Sequence, residues 1–108
     1  MSNVRVKPVK IMLDKERTIL FDLNALCELE ETYESVFDAL ADIEKMKMKS
    51  IRSILHAALV HEDESLTLKQ VGSFIGMHNI LEISAKLTAA FTDSQPEVKE
   101  TEGKAKNE

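Results

Sequence analysis

At Asp22 the hydrophobic pattern of the chain changes period from two to 3.6, and no other feature constrains the fold as much. Before that point Val9, Ile11 and Leu13 alternate with Lys10 and Met12, and residues 18–21 form a second β-compatible run. Between the runs stands Asp14-Lys15-Glu16-Arg17, a charged turn without glycine. Two short strands around a polar turn read as a β-hairpin. Pro8 has no N–H to give to a ladder, which places it at an edge or a bulge. A register break there reconciles Val4 and Val6 with the opposite parity of Val9 and Ile11. A lone hairpin is marginal in water, so this one must pack on the rest of the chain.

From Asp22 onward the chain reads as helical. Asp22 or Asn24 can cap a first helix, with Leu26, Leu29 and Tyr33 on its inner face and Cys27 and Glu30 beside them. Ser35 can cap a second, whose stripe is Val36, Phe37, Leu40 and Ile43. Ile51, Ile54, Leu55, Ala58 and Leu59 then recur at the spacing of a core-facing helix, the strongest such signal in the chain. Thr67 and Gln70 form a capping box before a short fourth helix with Leu68, Val71 and Ile75, ending near Gly76. Asn79 and Glu82 read as a second box, opening a fifth helix with Ile80, Ile83, Ser84, Leu87 and Phe91 inward. The expected fold is α+β, mainly α: an N-terminal β-hairpin packed on a small bundle of about five helices, within residues 1–92. In residues 97–108 only Val98 and Ala105 are apolar, so 93–108 reads as a disordered charged tail.

Composition narrows the function. A chain of 108 residues is one small domain, and with 5% aromatics and no Trp its core must be aliphatic. The net charge of -5 argues against nonspecific nucleic-acid binding, which runs on clustered cations. A single cysteine, Cys27, excludes an internal disulfide. No run approaches the roughly 20 apolar residues of a membrane span, and the N-terminal residues lack the apolar segment of a signal peptide. A cytoplasmic protein with no membrane partner is the expectation.

The chain offers no catalytic constellation. Cys27, His56, His61 and His78 form neither a C-x-x-C nor an H-x-x-x-H pair, so no metal site is expected. Cys27, on or beside a buried helix face, reads as a small inert core residue rather than a nucleophile. Three glycines cannot build a phosphate-cradling loop, and Glu28, Glu30, Glu31 and Glu34 read as a solvated helix side. Lys45, Lys47, Lys49 and Arg52 invert the acidic balance locally, and without interleaved aromatics they read as a solvated helix start. Met46 and Met48, in a polar connection, and Met77, after Gly76, either plug gaps between short helices or meet a changing apolar partner. With Phe37 and Phe74 they are the candidate partner-binding residues. No catalytic residue, no cofactor and no enzyme activity is expected.

One resemblance rests on named stretches: Ile11-Met12-Leu13-Asp14-Lys15-Glu16-Arg17, then Phe21-Asp22-Leu23-Asn24-Ala25-Leu26-Cys27-Glu28-Leu29-Glu30-Glu31, then residues 50–63 ending in His61-Glu62-Asp63, then Ser65-Leu66-Thr67-Leu68-Lys69-Gln70-Val71-Gly72. In this order they resemble the tail assembly chaperones of long-tailed bacteriophages and prophages, including the gene-transfer-agent tail protein family. The resemblance covers roughly residues 9–92. It departs at Asp14-Lys15-Glu16-Arg17, where Asp-Gly is expected. It implies a protein of the host bacterial cytoplasm, absent from the mature virion. Such a protein binds the aggregation-prone tape-measure protein and keeps it soluble until the tail tube polymerises around it. It also implies a longer frameshifted form that recruits tail-tube protein. Self-association into a homo-oligomer is a further expectation, since apolar area left without a client drives it. The competing reading is a small acidic adaptor that binds a transcription factor or another helical partner.

Overall fold

The structure, a computed structural model, describes residues 8–93. Val4, Val6 and all but the first residue of the expected tail lie outside them. Strands β1 (Val9–Met12) and β2 (Glu16–Ile19) pair antiparallel. They lead into α1 (Leu23–Thr32), α2 (Val36–Glu44), α3 (Met48–Leu59), α4 (Leu68–Ser73) and α5 (Ile80–Asp93). The order and the mainly helical character match the sequence reading.

The hairpin turn is tighter than expected. Met12 pairs with Glu16 and Ile11 with Arg17, which leaves only residues 13–15 in the loop. The loop holds itself: the Leu13 amide donates to the Lys15 carbonyl at 2.9 Å, and the Lys15 amide donates to the Asp14 carboxylate at 2.9 Å. Glu16 and Arg17 therefore belong to β2. Strand alternation then turns Arg17 inward beside Ile19, where it is only 5% exposed. Its guanidinium is paired rather than abandoned. Nε donates to Asp14 Oδ1 at 2.7 Å and Nη2 to Oδ2 at 2.9 Å, and the group lies 5.0 Å from the centroid of the Phe74 ring.

Both margins of the ribbon are occupied at its centre. On the β2 side the Thr18 amide donates to Glu62 Oε1 at 3.3 Å, and His61 Nε2 donates to the Thr18 carbonyl at 2.8 Å. On the β1 side Lys86 Nζ donates to the Lys10 carbonyl at 3.1 Å. The Leu20 amide continues onto the Ala58 carbonyl of α3 at 3.1 Å, sewing the hairpin to the bundle.

The helix α3 is the post around which the rest is arranged. Ile51, Ile54, Leu55, Ala57, Ala58 and Leu59 are all buried, and the helix touches β2, α1, α2, α4 and α5. Ser50 Oγ donates to Asp42 Oδ2 at 2.7 Å, tying the first turn of α3 to α2. Phe21, Phe91 and Phe37 form an edge-to-face chain with centroids 5.8 and 6.1 Å apart, from the end of the hairpin through α5 to α2.

Side-chain chemistry closes the starts of α1, α2 and α4. Asp22, not Asn24, caps α1 by accepting from the Ala25 amide at 2.9 Å. Ser35 caps α2, and Thr67 and Gln70 form the expected reciprocal box on α4. Asn79 departs from expectation. Its side chain turns back, accepting from the Gly76 amide at 2.8 Å and donating to the Phe74 carbonyl at 3.0 Å, so it ties off the α4–α5 turn.

Four further expectations are corrected. Cys27 is exposed, because α1 buries Ala25 and Leu29, one turn apart, and position 27 lies away from that line. Leu68 is exposed, and α4 ends at Ser73, three residues before Gly76. Phe37 is 61% exposed, since α2 buries Val36, Ala39 and Ile43 instead.

The packing and the Arg17–Asp14 ion pair, buried on the arginine side only, each make a measurable difference to stability. Leu55→Ala, at a fully buried site on α3, costs about 2–5 kcal/mol in urea denaturation. The Arg17 hydrogen bond holds the Asp14 carboxyl below its ordinary value, and the Ser65 hydroxyl does the same for Asp63. A carboxyl with a lowered folded pKa stabilises fully above its unfolded value and loses that contribution as pH falls through the folded one. Stability therefore drops below about pH 4. Asp14→Asn flattens that drop in thermal melts taken across the acid range, and the Asp63 share persists.

Candidate partner-binding groove

The N-terminal part of α3, Gly72 of α4, the α4–α5 turn and the first residue of α5 border an open groove of about 380 Å³. Its apolar walls are Met48, Ile75, Met77 and Ile80, and Lys49 and Arg52 supply its charge. Met48 is 52% exposed and Met77 82%. Each is placed by local structure. Met48 opens α3 directly after Lys47, and Met77 stands in the turn that Asn79 ties off.

Of the five candidate residues, the structure brings Met48 and Met77 together. Met46 goes elsewhere. Its backbone takes the left-handed conformation, with φ at 59°, and the side chain packs partly buried against the core, where Ser84 Oγ lies 3.6 Å from its sulfur. Phe74 is likewise partly buried in the core, under the Arg17 guanidinium. Phe37 is exposed on α2 against Phe91 and does not line the groove.

The basic cluster divides. Lys47 Nζ lies 3.9 Å from Asp42 Oδ1. Lys49 and Arg52 have no ion-pair partner among the described residues, and the solvent-shielded Nε of Arg52 has no hydrogen-bond partner among them. Gly72 makes room for this side chain: a Cβ there would stand 3.1 Å from Arg52 Cδ. By sequence pattern Arg52 is a solvated residue and Ile75 and Ile80 are plain core. The pair of Arg52 and Gly72 is visible only once α3 and α4 are side by side.

Two smaller hollows are polar. One, of about 330 Å³, lies among Lys15, Glu16, Arg17, Glu62 and Asp63. The other, of about 310 Å³, lies between α1 and the end of α3 and includes Glu28, His61 and Glu64. His56 Nε2 donates to the Leu66 carbonyl at 3.0 Å, and its Nδ1 lies 3.7 Å from Glu28 Oε2, so its ring pins the α3–α4 loop. Among the described residues no three His, Cys, Asp or Glu side chains are placed to share a metal ion, and no helix is long and apolar enough to cross a membrane. What the larger groove presents to a ligand is hydrocarbon and positive charge.

No protein-family model, no curated protein and no solved structure matches the chain.

The placements separate the methionines by their effect on stability. Met48→Glu and Met77→Glu, at exposed positions, leave unfolding free energies within about 0.5 kcal/mol of the parent. Met46→Glu puts a carboxylate against the core and costs about 1–3 kcal/mol in the same urea titration.

Proposed function

We propose that this protein is a tail assembly chaperone of a long-tailed phage or prophage, a binding protein and not an enzyme. It holds an apolar segment of the tape-measure protein in solution in the host cytoplasm until the tail tube polymerises around it, and it leaves before the virion is complete. The observation that carries the reading is the convergence of two exposed methionines, 29 positions apart, on one apolar groove of an acidic chain. The resemblance over residues 9–92 supplies the identity of the client.

The physics suits the task. Methionine is flexible and polarizable, so a wall built of it accepts apolar partners of varied shape. A groove between helices suits the apolar stripe of a partner helix. Its small size fits a contact that must later be released, since permanent interfaces bury far more. A net charge of -5 keeps a complex with a greasy client dispersed.

Co-expression with the tape-measure protein of the same phage tests the proposal. The client is expected in the soluble fraction with the parent chain, and in the pellet with the Met48→Glu, Met77→Glu double variant. A client equally insoluble with and without the parent chain overturns it.

A further inference from the structure

We infer that the groove takes an amphipathic helix bearing a carboxylate beside its apolar stripe, with Arg52 and Lys49 as the receptors for that carboxylate. This rests on the groove being the client-binding face and adds the chemistry of what it selects.

Positive charge in the groove goes unanswered. The chain holds 19 acidic residues against 14 basic ones, yet both charged residues lining the groove are cations. Asp42 takes Lys47 and Asp14 takes Arg17, while Lys49 and Arg52 go without a carboxylate among the described residues. The Arg52 Nε is shielded from water with no acceptor among them. That donor is out of a ligand's direct reach as it is out of water's, so a carboxylate in the groove meets Arg52 at the part of its side chain that stays half-exposed there. The planar guanidinium fork matches a carboxylate, and Gly72 seats its stem against α4.

The apolar walls decide what kind of molecule carries the acid. Met48, Ile75, Met77 and Ile80 need hydrocarbon, which a nucleic-acid backbone does not offer, and the net charge of -5 opposes a polyanion. An added β-strand has no place here, since the groove is walled by helices and the hairpin lies elsewhere. A helix with its apolar stripe on the methionines and an Asp or Glu at the stripe's border satisfies both halves of the site.

The test uses the full chain and two dye-labelled synthetic helices of about 18 residues that share one leucine stripe and differ only in Glu or Gln at its border. Fluorescence anisotropy is expected to show the Glu peptide binding about tenfold tighter or more, as befits a charge-assisted hydrogen bond. Added salt is expected to narrow that ratio. Arg52→Gln is expected to bring the two affinities together, and Lys49→Gln, at an exposed position, to narrow the ratio without touching the fold. Equal binding of both peptides, lost in Met77→Glu, overturns the carboxylate inference and leaves the groove reading standing. Binding of neither peptide removes the groove reading and this inference with it. A dimer in sedimentation that Met77→Glu dissolves assigns the groove to a second copy of this chain and overturns the inference in favour of self-association.

Discussion

The whole arrangement depends on the burial of α3 on several sides at once. Ile51, Ile54, Leu55, Ala57, Ala58 and Leu59 are all buried, and β2, α1, α2, α4 and α5 all pack on this helix. Small residues are what make this crowding possible: an alanine removes little volume from a neighbour's approach, whereas a second leucine would force the hairpin off. The hairpin, too short to stand alone, borrows its stability from this post through the hydrogen bond from Leu20 to Ala58 and the burial of Ile19 and Phe21. The groove exists because the same helix runs past the edge of its own core. Its first turn projects Met48, Lys49 and Arg52 beside α4 while its later turns are enclosed.

The fold is legible in the sequence where local chemistry and hydrophobic period agree. The α3 stripe, the caps at Asp22, Ser35 and Thr67, and the change of period at Asp22 all point to their elements without knowledge of the rest. Legibility fails where tertiary contacts set the outcome. Arg17 looks like part of a solvated turn because charge signals exposure on average. The three-residue loop places it in β2, and the inward orientation is tolerated only because Asp14 and Phe74 meet it there. Asn79 has the spacing of a cap but finds better partners behind it. Cys27 and Phe37 depend on the angle at which α1 and α2 rotate toward α3, and a pattern of three or four apolar residues leaves that angle loose.

The groove is half legible. Methionines in polar surroundings point to Met48 and Met77, and the same signal sweeps in Met46, whose left-handed backbone points it toward Ser84 instead. The charged half carries no sequence signal, since four basic residues at a helix start look alike. Their difference lies in which carboxylates come near: Asp42 reaches Lys47 and Ser50, and the side of the helix that bears Lys49 and Arg52 is left to the groove.

The side chains along the hairpin's margins have a consequence for how this protein behaves in a crowd. A bare two-stranded ribbon is an invitation to any extended polypeptide, which can dock its own amides and carbonyls along the rim and begin a growing stack. Here Glu62 and His61 sit in the seats beside Thr18, and Lys86 in the one beside Lys10. A stray segment arriving at mid-ribbon must displace Glu62 and His61 from β2, or Lys86 from β1, before it can pair there.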